Sequence, residues 1–317
     1  MGTAGGGEAV GMTLFFIRRL AAAIAVLAGA ATVMFLVLRL SGDPARLLLP
    51  PQASDEERVA LQAQLGLDRS LPQQYLIYMR NLAKGDFGTS YRSGYPALEL
   101  AAERLPYTLA LAGATFIFIV IVSIPLGIVA ARQPGTLVDR AVVLLCTAGQ
   151  AIPVFVTGTF FILFFSVYLR WVPSSGASYT TSLILPALTL GLYSMGRTAR
   201  LVRSGMVAAL QEDYVRTARA KGVSDIGVLF GHALKNVLIP VVTMLGLEAG
   251  GLFGRAVIVE VVFAWPGLGR LIVDSVLARD YAVAQAGVII IAAIYTFLNA
   301  VVDILYYVID PRLRTTT

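Results

Sequence analysis

Six continuous apolar segments dominate the sequence and limit what it can fold into. Each is at least as long as the roughly 17 residues that an α-helix needs to cross the core of a bilayer. Their apolar residues are continuous rather than alternating with polar ones, which favours helices over strands. We therefore predict an all-α, polytopic membrane protein with six transmembrane helices. The segments are residues 20–38, 107–131, 141–169, 179–196, 236–259 and 281–302.

The distribution of charge predicts how these segments are oriented. Only 14% of the 317 residues are charged, which is too few for an ordinary soluble domain. Thirteen lysines and arginines fall in the two tails and in the loops after the second and fourth segments, against three in the short loops of the other side. The positive-inside rule then places both termini in the cytoplasm. The same rule accounts for the net charge of +6, so we expect contact with membrane lipid and no nucleic-acid partner.

The segments also divide the chain. Residues 1–19 form a predicted cytoplasmic tail, irregular where glycine is abundant before Met12, and residues 20–38 form a retained signal anchor. Residues 39–106 are an external loop with short helices at 54–65, 72–85 and 98–105, the first opened by a Ser54 and Glu57 capping box. The transmembrane domain covers residues 107–310 and includes a cytoplasmic loop at 197–236, and residues 311–317 are a C-terminal tail.

The fifth segment contains two ionisable residues, Glu248 and Arg255. Charges at membrane depth are costly unless they face a partner or a cavity. The two residues lie about 10 Å apart along one face of a helix, so they can pair with each other. Pairing with Asp303 or with a partner subunit is also open, and so is a role in lining a translocation pathway. Glycines at 246, 250 and 254 predict that another helix approaches this one closely.

Three sequence blocks carry a resemblance to a known family. The first, EDYVRTARAKGVSDIGVLFGHALKNVLIP from Glu212, predicts a short amphipathic helix up to Lys221 ended by Gly222, and resembles the cytoplasmic Glu-Ala-Ala loop of ABC importer permeases. Ala218, Gly222 and Leu234 match that motif. The others are GDFGTSYRSGYPALELAAERLPYTLALA from Gly85 and VVFAWPGLGRLIVDSVLARDYAVAQAG from Val261. With these blocks the chain is similar to permeases of the dipeptide, oligopeptide and nickel branch.

The resemblance implies a type I ABC importer permease fold in the bacterial inner membrane and the import of peptides by alternating access. It implies as partners a homologous second permease subunit, two nucleotide-binding ATPase subunits and an extracytoplasmic substrate-binding protein. The implied ATPase coupling residues are Tyr214, Val215, Arg216, Thr217, Ala218, Arg219, Ala220, Lys221 and Gly222. The residues assigned to the pathway or its gate are Glu248, Arg255, Glu260, Trp265, Pro266 and Gly267.

The sequence lacks the motifs of catalytic and cofactor sites. None of the three lysines follows a glycine, as the lysine of a phosphate-binding P-loop must. Cys146 and His232 are each single residues of their type, so neither a disulfide nor a histidine cluster can form within one chain. We therefore expect no catalytic, cofactor or metal site here and predict that the chain is not an enzyme, with ATP and magnesium on the partner subunits.

Two further interpretations remain open. An ion-coupled secondary transporter would use Glu248 and Arg255 for coupling and need no ATPase, but would leave the basic loop at 197–236 without a role. A structural scaffold of a larger membrane complex would account for the glycine face but for little else in the sequence. Within the importer family, glutathione or nickel chelates are alternatives to dipeptides and oligopeptides.

Overall fold

A computed structural model describes residues 4–40, 49, 54–64 and 66–309 of the chain. Helices are the main regular elements of these ranges, and Thr89 and Pro96 form an isolated antiparallel bridge. The α-helices are α1 (Ala4–Leu40), α2 (Asp55–Gln64), α3 (Leu71–Ala83), α4 (Ala97–Arg132), α5 (Leu137–Ala151), α6 (Val154–Phe161), α7 (Ile184–Ala209), α8 (Asp213–Ala220), α9 (Leu234–Val262), α10 (Leu268–Leu277) and α11 (Tyr281–Ile309).

Three shorter helical segments continue these helices. A π-helical segment, Ile162–Tyr168, follows α6, and a 3₁₀ turn, Thr180–Leu183, leads into α7. A second π-helical segment, Gly227–Ala233, leads directly into α9. In a π-helix each backbone amide bonds five residues back instead of four, a geometry that is rare and often found near functional sites.

Four candidate membrane spans occur among the described residues. They are Ile17–Val37, Ala97–Arg132, Gly227–Val262 and Tyr281–Ile304. The pair Leu137–Ala151 and Val154–Tyr168 is apolar enough to be a fifth, but its halves meet at an angle of 106°. The break falls at Pro153, which has no amide to continue the hydrogen bonds of α5. The apolar segment at 179–196 lies largely in α7. This helix continues into three arginines and is not among the candidate spans. The count of six spans therefore stays a prediction.

Several local sequence predictions are confirmed. The Ser54 amide donates to Glu57 Oε2 (2.9 Å) and the Glu57 amide to Ser54 Oγ (3.2 Å), which completes the capping box of α2. The short helix predicted at 72–85 is α3, which runs from Leu71 to Ala83. Two boundaries differ from prediction. Helix α1 already begins at Ala4, so residues 4–11 are helical, and the short helix at 98–105 continues into the second apolar segment as the single helix α4.

The chain divides into two compact units. The first comprises Met1–Pro106 and Gly267–Thr296. Its core is built from small side chains, including Ala97, Ala101, Ala282 and Ala286, which let helices approach closely. Ser90 Oγ donates to the Asp280 carboxylate, so the loop before α4 is tied to the start of α11.

The second unit comprises Tyr107–Pro266 and Phe297–Thr317 and is built around α7. This helix packs against α5, α6 and α9 and has buried residues along most of its length. Glycines of α7 allow the neighbouring helices to pack this closely against it. A Cβ at Gly191 would come within 2.5 Å of the Phe118 ring, and one at Gly205 within 2.9 Å of Val237. Any larger residue there would push a neighbouring helix away, so α7 is held in place on several sides.

Candidate coupling helix and buried charge site

Helix α8 (Asp213–Ala220) is the short amphipathic helix that the sequence predicts after α7. Val215 and Ala218 are buried on one face and pack with Val228 of the following π-helical segment. Gly222 has a φ of +82°, a left-handed conformation that favours glycine and ends the helix. Both predictions, the helix and its terminating glycine, are confirmed.

The predicted coupling residues fall on two faces of this segment. Val215 and Ala218 face the protein and seat the helix. The exposed ones, available to another subunit, are Tyr214, Arg216, Thr217, Arg219, Ala220, Lys221 and Gly222. Arg216 lies 3.2 Å from Asp213, and Arg219 lies 3.6 Å from Asp225. These surface ion pairs are weak, so the guanidinium groups can exchange them for groups on another surface.

Glu248 lies at the centre of a buried charge site inside the second unit. Its side chain is 3% exposed and accepts hydrogen bonds from three side chains. Arg255 Nη2 lies 2.6 Å from Glu248 Oε2, Ser194 Oγ donates to the same oxygen at 2.6 Å, and Arg197 Nη1 lies 3.3 Å from Oε1. The intrahelical pair that the spacing predicts is therefore confirmed, and α7 contributes two partners to it.

The guanidinium groups of this site are more accessible than its carboxylate. The side chains of Arg255 and Arg197 are 30% and 52% exposed. Arg255 also bonds Ser194 Oγ (3.1 Å) and lies 5.4 Å from the centre of the Tyr193 ring, which adds a cation–π contact. Two guanidinium groups beside one carboxylate leave a formal excess of positive charge. The site is thus suited to meet an anionic group that reaches its exposed side.

Two more arginines of α7 bond side chains of α5. Arg200 Nη2 donates to Gln150 Oε1 at 2.7 Å, and Arg203 Nη2 donates to Asp139 Oδ2 at 2.7 Å. The bond with Asp139 raises the pKa of the Arg203 guanidinium above its ordinary value. Arg197, Arg200 and Arg203 recur every three residues, so one face of α7 presents three cations to its neighbours.

The residues assigned to a gate lie in a separate cluster. Glu260 is fully buried and accepts a hydrogen bond from Thr108 Oγ1 at 2.7 Å. Trp265 Nε1 donates to the Tyr107 carbonyl at 3.0 Å, and the two rings pack edge to face. Glu260 is twelve residues beyond Glu248 on α9, about 18 Å along the axis. The two acidic residues therefore belong to different sites.

Pro266 is partly buried in the turn that follows α9, and Gly267 caps the N-terminus of α10. Sequence reasoning found Glu248 and Arg255 but not Ser194, Arg197 or Asp139, which complete the polar contacts of α7. The available signal was the recurrence of arginines along α7, because an arginine next to a membrane segment needs a partner. The partners of these three arginines lie 50 to 64 residues away in the chain, so spacing alone could not identify them.

Solved structures of other proteins share this fold. The methionine ABC transporter MetNI in an inward facing conformation matches 67% of this chain and 96% of that chain, with a TM-score of 0.57 and 17% identity. An amino acid ABC transporter crystallised with histidines matches 68% of this chain with a TM-score of 0.51 and 16% identity. At these identities the likeness is one of fold. Together with the apolar helices, it defines a helical, multi-pass membrane protein.

Two family models place the chain more narrowly. The model described as binding-protein-dependent transport system inner membrane component matches residues 123–315, and its N-terminal companion matches residues 12–112. The chain belongs to this family and is the inner-membrane permease subunit of a bacterial ABC importer. The resemblance carried by the three sequence blocks is therefore confirmed. Membership also implies an ATPase and a substrate-binding protein as partners.

Curated relatives extend the match along nearly the whole chain. "Probable peptide ABC transporter permease protein y4tP" of Sinorhizobium fredii is 39% identical over 312 residues, 96% of this chain and 100% of the relative. The glutathione transport system permease protein GsiC of Escherichia coli K12 is 42% identical over 304 residues, 96% of this chain and 99% of the relative. GsiC of Salmonella typhi is 43% identical over the same length.

Proposed function

We propose that this permease subunit imports short peptides, and that the Glu248 site takes part in recognising their charged ends. The observation that carries the proposal is a buried carboxylate held by two partly exposed guanidinium groups in α7 and α9. A peptide has a carboxylate at one end and an ammonium group at the other. Arg255 and Arg197 would meet the first, and Glu248 the second.

Retaining Glu248 and Arg255 inside a candidate membrane span is costly unless these ionisable groups serve a purpose. If Glu248 and Arg255 only bonded each other, they would stabilise the fold little more than apolar residues of similar size would. The exposed fractions of Arg255 and Arg197 leave room for exchange between the internal carboxylate and a solute carboxylate. After the solute has passed, the guanidinium groups would bond Glu248 again.

Coupling to ATP would occur through α8. Its exposed residues, with Tyr214 and Arg216 at the centre, would dock into a nucleotide-binding subunit, while Val215 and Ala218 transmit the movement to the adjoining helices. In this proposal ATP and magnesium are bound by two partner ATPase subunits and not by this chain. The chain is then not an enzyme itself, and a homologous second permease completes the pathway.

Glutathione is a second candidate substrate, since relatives with 42% and 43% identity are named glutathione permeases. Glutathione is a tripeptide with two carboxylates and one ammonium group. Its extra negative charge complements the excess positive charge of the site. Membership of a binding-protein-dependent family supports ATP-driven import over the ion-coupled alternative.

The test is uptake into proteoliposomes that contain the reconstituted importer and its substrate-binding protein. Labelled dialanine, trialanine and glutathione would be compared with and without ATP. We expect ATP-dependent uptake of at least one of them, reduced at least tenfold in Arg255→Ala, since hydrogen bonds to charged groups contribute about 1.5–3 kcal/mol. Uptake that follows a proton gradient without ATP, or no uptake of any of the three by an importer that hydrolyses ATP normally, would overturn the proposal.

A further inference from the structure

A cavity of about 500 Å³ lies within the first unit, and none of its lining residues belongs to the Glu248 site. It is lined by the end of α1, by α3 and the turn before it, by the loop at 86–91 and by the first turn of α11. Its size is in the range that holds small-molecule ligands. Phe35 and Tyr281 lie near the ends of two candidate spans, so we expect the cavity to lie near the edge of the membrane.

Two buried amide side chains line this cavity. Gln74 is 9% exposed, and its Nε2 donates to the carbonyls of Leu67 (3.0 Å) and Arg69 (2.7 Å), but its Oε1 has no hydrogen-bond partner. Gln285 is 5% exposed, and none of the described residues hydrogen-bonds to its side chain. A buried amide oxygen without a donor costs free energy. A ligand whose N–H groups donate to such an oxygen would recover that free energy.

The cavity also contains charged groups of both signs. Arg39, at the end of α1, and Arg69, before α3, line it together with Asp86 from the loop after α3. The Arg39 guanidinium lies 5.3 Å from the centre of the Phe35 ring, which holds it over an apolar surface. Guanidinium groups bind carboxylates with paired hydrogen bonds. The lining therefore offers cations, an anion and two neutral amides to one ligand.

We propose that this cavity is a binding site for a short peptide on the permease itself. Arg39 and Arg69 would bind the terminal carboxylate, Asp86 the terminal ammonium group, and the two glutamines the backbone amides between them. A phospholipid headgroup would satisfy the charged groups but has no run of amides to match Gln74 and Gln285. The inference rests on the proposed function and on the prediction that residues 39–106 form an external loop, on the side from which peptide arrives. The cavity would then hold peptide before it reaches the pathway.

The experiment is equilibrium binding of radiolabelled trialanine to the full chain, purified with its co-purifying subunits in phosphatidylcholine nanodiscs without substrate-binding protein or nucleotide. We expect a saturable site, one per chain, that persists in Glu248→Gln. Arg69→Ala and Gln285→Leu should each weaken binding about tenfold, as for loss of a hydrogen bond to a charged or buried group. Trialanine amide, which lacks the carboxylate, should bind about tenfold more weakly as well. Arg69 is exposed, so its variant tests the site without disturbing the core.

Arg58→Ala is the matched control, because Arg58 lies on α2, pairs with Asp55 at 2.9 Å and does not line the cavity. It should bind trialanine like the parent. The absence of saturable binding would overturn the proposal, and so would binding that both cavity variants leave unchanged. A co-purifying phospholipid that Arg69→Ala removes and trialanine does not displace would make the cavity a lipid site instead.

The two proposals fail separately. If ATP-dependent uptake of trialanine persists while no trialanine binds the cavity, only the cavity proposal is overturned. If trialanine binds the cavity while the importer takes up no peptide, the proposed function is overturned and the cavity remains. Glu248→Gln should lower uptake without changing cavity binding, which assigns each measurement to its own site.

Discussion

Arg255 and Glu248 pair across two turns of α9, with Arg255 Nη2 2.6 Å from Glu248 Oε2. Two turns rise about 10 Å, so both side chains must extend toward each other along the helix. Ser194 of α7 bonds both partners, to Glu248 at 2.6 Å and from Arg255 at 3.1 Å. The pair is therefore also a contact between α7, which leads into the candidate coupling helix α8, and α9, which follows α8 in the chain.

Removing one partner of this pair should cost more than removing both. Glu248→Ala leaves the Arg255 guanidinium without its carboxylate, and breaking a buried pair in this way costs about 3–5 kcal/mol. In Glu248→Ala/Arg255→Ala the Arg255 charge is gone, and the remaining partner, Arg197, is 52% exposed and can be solvated, so much of that stability should return. The measurement is the Tm of the purified complex for the parent, both single variants and the double variant. Additive losses in the double variant would mean that the two side chains act independently.

The conformation of Gly222 should be required for coupling. At a φ of +82° a residue with a Cβ is strained, by about 1–2 kcal/mol, so Gly222→Ala should distort the end of α8. We expect lower transport at nearly normal expression, read as uptake per ATP hydrolysed. Gly231→Ala is the control, because a Cβ at Gly231 meets no heavy atom within 4 Å and Gly231 has no positive φ. Equal effects of the two variants would argue against a role for this turn.

Val215 and Arg216 are adjacent, but we expect their alanine variants to have different defects. Val215 is fully buried, so Val215→Ala should lower stability by about 1–2 kcal/mol through lost burial. Arg216 is 75% exposed at its side chain, so Arg216→Ala should leave stability nearly unchanged and weaken retention of the ATPase. Pull-down of the nucleotide-binding subunit and thermal unfolding together distinguish them. Normal ATPase retention in Arg216→Ala would remove this residue from the docking surface.

Asp139 should hold the C-terminal half of α7 against α5. Its carboxylate bonds both Arg203 Nε and Arg203 Nη2, and Asp139→Asn removes the charge of that paired contact. We expect a loss of about 1.5–3 kcal/mol in stability, as for a hydrogen bond between charged groups. The control is Asp213→Asn, whose pair with Arg216 is exposed and should contribute less than about 1 kcal/mol. A similar Tm for both variants would contradict the assignment.

Gly246 should tolerate no larger residue. A Cβ there would come within 2.6 Å of Val302 Cγ1 in α11, so Gly246→Ala should destabilise by about 1–3 kcal/mol through overpacking. Val302→Ala should restore part of the loss, because it removes the obstructing methyl groups. Gly254→Ala is the control, since a Cβ there has no neighbour within 4 Å among the described residues. No rescue by Val302→Ala would show that the strain lies elsewhere.

Much of the architecture followed from local patterns in the sequence. The apolar segments, the capping box at Ser54 and the left-handed Gly222 all depend on interactions within a few residues. The Glu248 and Arg255 pair was also predictable, because helical spacing places both on one face. The glycine face was predicted only in part, because Gly246 approaches α11 whereas Gly254 faces open space.

The remaining contacts depend on how distant helices pack. Ser194 is an ordinary serine in the sequence and becomes a partner of Glu248 only because α7 lies against α9. Glu260, assigned to a gate from its place beside the turn, bonds Thr108, 152 residues away. The cavity in the first unit likewise combines Gln74 with Gln285, and no local pattern could bring these two amides together.

The π-helical segment Gly227–Ala233 has a consequence for how this region tolerates insertions and deletions. A π-helical turn holds one more residue than an α-helical turn over a similar rise. Deleting one residue within the segment would let it return to α spacing and keep the facing direction of Glu248. Deleting one residue between Leu234 and Glu248 would turn Glu248 about 100° away from Ser194, because an α-helix turns once every 3.6 residues. The π-helical segment thus lets the loop before α9 lose one residue without rotating α9 about its axis.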